Sequence, residues 1–159
     1  MNPYRSWGTD AHLVLTCQPE YTPRKGTPFS TGYDCFLTEG AEVSPGQTVV
    51  LGLGFRLSGW VRGLDGIYWP ASDILCILVG RSSTGRRGLH AHTGVIDMDY
   101  TGEVKACVTN ISTLPQVMHP GERIYQLLCS LPIERAADNC PRNPNESGRG
   151  EGGFGSTGK

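Results

Sequence analysis

The sequence lacks the long apolar segments and the positive charge that would assign it to a membrane or to nucleic acid. No apolar run approaches the ~20 residues that a membrane-spanning helix needs. Lys and Arg number 14 against 15 Asp and Glu, a formal net charge of −1, which excludes a protein held to nucleic acid mainly by phosphate neutralisation. The polar start, MNPYRSWGTD, has none of the features of a secretory signal and predicts an intracellular protein.

Amphipathic helical patterns are also missing, and what remains is typical of strands. The 159 residues include 22 glycines and 11 prolines, which favour turns over long helices, and a 38% hydrophobic content excludes wholesale disorder. Segments 84–88 and 135–139 could each form a turn at most. The pattern therefore predicts an all-β barrel or sandwich. The predicted strands cover residues 12–17, 48–57, 74–79, 104–109 and 123–131.

The cysteines and histidines give little support for a metal site or a disulfide framework. Six cysteines are present, no two of them with CxxC spacing, and five lie in strand-like stretches where a free thiol behaves as a small hydrophobic group. His90 and His92 would share one face of a strand. A metal pair there has no third ligand in view, and two half-exposed strand histidines are the alternative.

Two segments fall outside the strand pattern. Residues 134–159 have almost no apolar side chains to bury and are rich in glycine, so we divide the chain into a barrel domain, 1–133, and a flexible C-terminal arm, 134–159. The stretch 58–73 carries Trp60, Tyr68 and Trp69. These aromatic residues either cover the barrel end or a contact between subunits, or form a binding loop for a protein partner.

Five short motifs, taken in order, carry the chemistry. They are TGYD (31–34), GRSS (80–83), GVIDMDYTGE (94–103), GERIYQL (121–127) and RGEGGFGSTG (149–158). The first and fourth are weak alone, whereas the third and fifth are specific. Together they closely resemble the five motifs of the homotrimeric dUTP pyrophosphatases, the dUTPases, from about Thr31 to the C-terminus. GRSS followed by HTGVIDMDYTGE is most similar to viral members, from retroviruses and avian adenoviruses.

The third motif supplies the base and the nucleoside readout that the resemblance implies. Asp97 lies between Gly94 and Gly102, where a hairpin tip would expose a carboxylate able to deprotonate water; a turn-forming aspartate is the alternative. The resemblance makes Asp97 the general base for attack on the α-phosphorus of dUTP, giving dUMP and pyrophosphate. It places Tyr100 under the deoxyribose and assigns the reading of uracil to the backbone of the hairpin, including Gly94, Val95 and Ile96.

Phosphate binding falls to the first, second and fourth motifs in this resemblance. Arg81 and Ser82 match residues that hold the phosphates, with Ser83 beside them, and Gln126 matches a side chain near the α-phosphate. Asp34 matches a carboxylate that meets Mg²⁺ through water. We rank Arg123 lower, as a brace of the fold. Gly80 and Ser83 depart from the Pro and Gly of many cellular members.

The fifth motif has two interpretations. Its composition is that of a plain tail, but successive glycines let backbone N–H groups converge on an anion. The resemblance implies an arm that closes over a neighbouring subunit's active site, with Phe154 stacked on uracil and the other polar groups near the γ-phosphate. The substrate-binding candidates of this arm are Arg149, Phe154, Gly155, Ser156 and Thr157.

Two other functions compete with an active enzyme. A dUTPase-like interaction or signalling module would keep the fold without turnover, but Asp97, Tyr100, Ser82 and the glycine-rich arm are present together, which favours the enzyme. A dCTP deaminase shares the fold, yet the arm with Phe154 is a dUTPase feature. The expectation is a Mg²⁺-dependent homotrimer that acts on dUTP, binds no membrane, contacts no nucleic acid directly and, if viral, works in the host nucleus or cytoplasm.

Overall fold

Strands dominate the computed structural model, which describes residues 11–145, and the all-β prediction is confirmed. The one α-helix of these residues is α1, Ser82–Arg86, and a 3₁₀ turn covers Pro19–Tyr21. The strands are β1 His12–Cys17, β2 Tyr33–Cys35, β3 Ala41–Val43, β4 Thr48–Gly52, β5 Phe55–Arg62, β6 Tyr68–Pro70, β7 Cys76–Gly80, β8 Leu89–Ala91, β9 Gly94–Val95, β10 Lys105–Asn110, β11 Gln116–Met118, β12 Tyr125–Cys129 and β13 Ile133–Arg135.

Small sheets surround one apolar core. Their strand orders are β13-β1-β5-β6, β4-β10-β8, β11-β3 and β2-β12-β7-β9. Within residues 11–145 only β1 and β13 pair in parallel. Because successive side chains of a strand point to opposite faces, β7, β10 and β12 bury alternate residues, among them Leu78, Val108 and Leu127. Strand β1 instead buries the consecutive residues Leu13, Val14 and Leu15. No helix of this part of the chain is long and apolar enough to cross a membrane.

The predicted single strand over 48–57 is wrong, because the chain breaks at Gly54. This residue has a φ of +75°, a conformation that side-chain-bearing residues rarely adopt. Its N–H donates to Oε2 of Glu103 at 2.9 Å instead of entering a ladder. A distant carboxylate therefore divides the run into β4 and β5, although Leu53 and Phe55 are buried as the alternation predicts.

Helix α1 begins at Ser82, two residues before the turn predicted at 84–88. Thr84 is buried, and its hydroxyl donates to the Ile124 carbonyl at 2.7 Å. This tertiary bond ties a short helix, which would be marginal alone, to the chain just before β12.

The described part of the expected arm lies against the barrel. Strand β13 pairs with β1 as far as Arg135, so the sheet extends past the boundary expected at residue 133. Beyond it, Asn143 Nδ2 donates to the Leu57 carbonyl at 3.3 Å. Residues 136–145 thus run over the outside of β5, and the role of the arm as a separate lid stays a prediction.

Two of the aromatic residues of 58–73, Trp60 and Tyr68, pack against each other. The rings of Trp60 and Tyr68 meet edge-on with centroids 6.4 Å apart. Trp60 Nε1 donates to the Arg142 carbonyl at 3.0 Å, so this ring holds the C-terminal segment. Trp69 is 42% exposed. The role of the stretch 58–73 as a binding loop for a protein partner stays a prediction.

Candidate functional site

One sheet gathers the first four motifs. In the order β2-β12-β7-β9, each strand carries or adjoins one of them. Asp34 of the first motif lies opposite Gln126 of the fourth, and Gln126 lies opposite Val79, shortly before Arg81 of the second. Side chains paired across antiparallel strands share a face. Residues separated by up to 92 positions in the chain therefore meet on one surface.

Asp34 is the centre of this surface. Its side chain is 13% exposed, and its Oδ1 accepts from Nε of Arg81 at 3.0 Å. Its Oδ2 faces a guanidinium nitrogen of Arg123 at 3.3 Å. Arg81 also donates to the Arg123 carbonyl at 3.0 Å. Two guanidinium groups are therefore held side by side by one carboxylate, an arrangement that suits a polyanionic ligand.

Two glycines of the motifs allow neighbouring side chains to pack closely against the backbone. A Cβ on Gly32 would collide with the amide group of Gln126, so the first motif needs glycine there for Gln126 to lie flat on the sheet. Gln126 Nε2 donates to the Gly80 carbonyl at 3.4 Å. A Cβ on Gly80 would come within 2.7 Å of the Ala91 Cβ, which explains glycine at this position.

A cavity of about 360 Å³ opens beside these arginines. It is lined by Arg81, Ser83, Arg87 and Arg123, among others. Ser82 is exposed at the start of α1. Arg123, which we expected to brace the fold, pairs with Asp34 and also lines this cavity.

The third motif forms a tight turn at the end of β9. Ile96 is buried and its N–H donates to the Cys76 carbonyl at 2.8 Å. The Asp97 carbonyl accepts from the Tyr100 N–H at 3.1 Å, and the Asp97 side chain is exposed. Asp97 therefore forms a turn through its backbone while its carboxylate faces outward, so the two interpretations of this residue are compatible.

The ring of Tyr100 is fixed within the same turn. Its hydroxyl donates to the Glu103 carbonyl at 2.7 Å. A Cβ on Gly102 would come within 2.6 Å of that hydroxyl oxygen, so glycine allows the ring to lie against the backbone. Gly94 and Val95 pair with β7, and the Val95 side chain is 68% exposed.

A second cavity, of about 370 Å³, adjoins Asp97. Its lining includes Val95, Ile96, Asp97 and Met98. Asn145 also lines it, and Asn145 Nδ2 donates to the Met98 carbonyl at 3.1 Å. The volume falls within the range of small-molecule pockets.

The two cavities lie at opposite ends of β7. Asp97 follows Ile96, which is bonded to Cys76 at the beginning of that strand. Arg81 follows Gly80 at its end. At ~3.3 Å per residue, the backbone positions beside these groups are roughly 15 Å apart. Within one chain, Asp97 and Arg81 therefore line different cavities at different ends of β7.

The remaining candidates divide between described and undescribed residues. The candidates of the fifth motif, residues 149–157, lie outside 11–145. The rings of His90 and His92 meet edge-on at 4.6 Å, and His92 Nε2 lies 2.7 Å from the Thr109 hydroxyl. No group of three or more metal-ligating side chains occurs in residues 11–145. All six cysteines are free thiols.

Comparison with known proteins agrees with the motifs. A family model described as dUTPase matches residues 19–158. A deoxyuridine 5'-triphosphate nucleotidohydrolase of Legionella pneumophila is 34% identical over 142 residues, which cover 86% of each chain. A Gag-Pro-Pol polyprotein of Simian retrovirus SRV-1 is 35% identical over 95% of this chain and 8% of the polyprotein. Since bacterial and retroviral relatives are about equally similar, the viral-type assignment stays a prediction.

The fold of the chain is similar to that of a solved dUTPase structure. The crystal structure of dUTPase from Streptococcus mutans superposes with a TM-score of 0.60 at 24% identity. The match covers 78% of this chain and 99% of that one. The expected jelly-roll-like barrel is thereby confirmed.

Proposed function

Since the chain belongs to the dUTPase family and is an enzyme of that class, we propose that it hydrolyses dUTP to dUMP and pyrophosphate by attack of water on the α-phosphorus. The observation that carries the proposal is the cluster of Asp34, Arg81 and Arg123 beside Gln126 on one sheet. It joins three motifs into a surface suited to a triphosphate.

The phosphate groups lie along the cavity at the end of β7. Arg81 offsets their charge, and Gln126 orients the α-phosphate. The Ser82 hydroxyl donates a hydrogen bond to the oxygen between the α- and β-phosphorus, which becomes the leaving oxygen of pyrophosphate. Loss of one such donor typically costs ~10²–10³ in kcat.

Magnesium fits this site through water. Each Asp34 oxygen already faces a guanidinium nitrogen at 3.0 or 3.3 Å, so a direct metal bond would displace a pairing. A second lone pair on each oxygen can still accept from a metal-bound water. Asp34 would hold the ion in this indirect way, together with the phosphates of the substrate. When bound, Mg²⁺ would supply charge stabilisation for the departing pyrophosphate.

The third motif provides the base and the nucleoside readout. The exposed Asp97 carboxylate accepts a proton from the water that attacks phosphorus. The backbone of Gly94, Val95 and Ile96 pairs with uracil, and the fixed ring of Tyr100 packs under deoxyribose and excludes a ribose 2′-hydroxyl. A fixed pattern of buried donors and acceptors rejects cytosine because its groups would be left unpaired.

The active site is assembled from several copies of the chain. Because the backbone positions of Asp97 and Arg81 lie about 15 Å apart along β7, the Asp97 of one chain serves the cavity beside Arg81 of another chain. A closed homotrimer repeats this contact three times. The glycine-rich arm, with Arg149 at the γ-phosphate and Phe154 on uracil, comes from a further neighbour and closes the site against water.

A complementation experiment tests the mechanism and the assembly together. Asp97→Asn and Ser82→Ala variants are each expected to lose turnover of dUTP by two or more orders of magnitude. When the two are denatured, mixed in equal amounts and refolded, about one quarter of the sites should combine a native Asp97 with a native Ser82 from different chains. The mixture should therefore recover about one quarter of the wild-type rate.

The controls separate the possible failures. Each variant refolded alone gives the background, and wild type refolded alone gives the yield. A mixture that recovers nothing, with wild type fully restored, would place both residues in one chain's site. Product analysis with dUTP, dCTP, dTTP and UTP should show consumption of dUTP alone. A correctly assembled protein that turns over none of them would refute the enzyme and leave the interaction module.

A further inference from the structure

Two of the free cysteines face each other across adjacent strands. Cys76 of β7 is directly opposite Cys129 of β12. In antiparallel sheets, directly opposite pairs alternate between hydrogen-bonded and non-hydrogen-bonded pairs, and the non-hydrogen-bonded pairs have their Cα atoms ~4.5 Å apart. The class of this pair therefore decides whether the sulfur atoms can join.

The backbone bonds identify the class. Ser130 N–H donates to the Leu75 carbonyl at 3.0 Å, so the neighbouring pair is the hydrogen-bonded one. The Cys76 carbonyl instead accepts from Ile96 N–H on the β9 side, at 2.8 Å. Cys76 and Cys129 are thus a non-hydrogen-bonded pair, with a Cα separation inside the ~4.4–6.8 Å range of disulfides.

The side chains agree with this backbone geometry. The neighbouring Cys76 thiol lowers the pKa of the Cys129 thiol, with help from the N–H groups of Leu131 and Ser130. Cys76 is buried, whereas Cys129 is half-buried. A reagent therefore meets the more acidic thiol first.

We propose that Cys76 and Cys129 are an oxidisable pair that closes to a disulfide on reaction with small-molecule disulfides. The Cys129 thiolate attacks one sulfur of the reagent and releases one thiol. The Cys76 thiol then attacks the Cys129 sulfur and releases the second, so that one reagent disulfide is reduced to two thiols and the protein dithiol loses two hydrogens.

Closing this bond acts on the third motif. The Cys76 carbonyl holds Ile96, the residue before Asp97. Most disulfides have their Cα atoms ~5.5–6 Å apart, whereas a non-hydrogen-bonded pair starts at ~4.5 Å, so closing the bond spreads the two strands by about 1 Å and shifts that carbonyl. Displacement of a catalytic group by ~1 Å can cost 10²-fold in rate. We therefore expect the disulfide to reduce turnover. This coupling, unlike the disulfide itself, rests on the proposed function.

The test is oxidation of the intact protein with excess oxidised glutathione, followed by alkylation and peptide mass analysis. Wild type should lose two thiols per chain and about 2 Da, with Cys76 linked to Cys129. Cys107→Ser is the matched control, because Cys107 is also a half-buried strand cysteine and lies opposite Val50; it should still form the link. Cys129→Ser should not.

The outcomes are separable from those of the enzyme assay. A stable glutathione adduct on Cys129 without the link, or linkage of other cysteines, would overturn the site. In wild type the link should lower dUTP turnover roughly tenfold or more, reversibly with dithiothreitol, and Cys129→Ser should be insensitive. A linked protein with full activity would refute the coupling. If the reduced protein has no turnover, the proposed function fails while the mass analysis still decides the disulfide.

Discussion

Gly80 is a position beside the candidate site where one added methyl group should destabilise the fold. Its φ lies outside the left-handed region, so alanine meets no backbone strain there. A Cβ would nevertheless come within 2.7 Å of the Ala91 Cβ, against an optimum of ~3.5–4.0 Å between carbon atoms. The neighbouring strands must move by about 1 Å to relieve this overlap.

Gly80→Ala should lower the free energy of unfolding by about 1–3 kcal/mol, the usual range for overpacking of a well-packed site. Urea unfolding at fixed protein concentration measures it, because assembly couples stability to concentration. Gly80 immediately precedes Arg81, so we also expect weaker substrate binding.

A second substitution tests whether the contact between the Cβ positions of residues 80 and 91 causes this destabilisation. Ala91→Gly removes the opposing methyl group and should alone cost ~0.5–1 kcal/mol. The double variant should be more stable than Gly80→Ala alone, with a coupling of at least ~1 kcal/mol in the double-mutant cycle. Additive effects would show that the contact between the two Cβ positions does not limit the site.

Three further predictions concern single hydrogen-bonding groups. Tyr125→Phe removes a buried hydroxyl that bonds the carbonyls of His92 and Cys107 at 2.6 and 2.7 Å; it should destabilise the fold by ~1–3 kcal/mol in urea unfolding, and an unchanged midpoint would contradict this. Trp60→Phe keeps the ring but loses the bond to the Arg142 carbonyl; hydrogen exchange should increase near residue 142, with little change in global stability. Asp34→Asn leaves two guanidinium groups facing a neutral amide, so it should lower the free energy of unfolding by about 1–2 kcal/mol. It should also raise the Mg²⁺ concentration needed for half-maximal turnover, and an unchanged concentration would show that Asp34 does not hold the metal.

Sequence patterns predicted those strands whose burial depends on residues that are close in the chain. The alternation in β10 and β12 placed the correct residues inside, because burial of one strand face has a period of two. The pattern failed at Gly54, whose break depends on a carboxylate 49 positions away. It also missed α1, whose Thr84 is held by the Ile124 carbonyl. Neither partner is visible in a local window.

The motifs indicated residues that the fold brings together, but not how they are arranged. Asp34, Arg81 and Gln126 do lie together. The distance between Asp97 and Arg81 could not be read from motif order, because it depends on which end of β7 each of them adjoins. The position of Arg123 beside Asp34 could not be read either, since an arginine before a strand gives no indication that a carboxylate of another motif lies next to it.

The parallel pairing of β1 with β13 has a consequence for how the protein is made. Leu13 is among the first of the described residues to leave the ribosome, but its partner Ile133 is among the last. Until residue 135 has been synthesised, β1 has only β5 beside it and its other edge is open. An unpaired edge is a template for association with another chain. Folding during translation therefore leaves this edge exposed for most of synthesis, and only the pairing of β13 covers it.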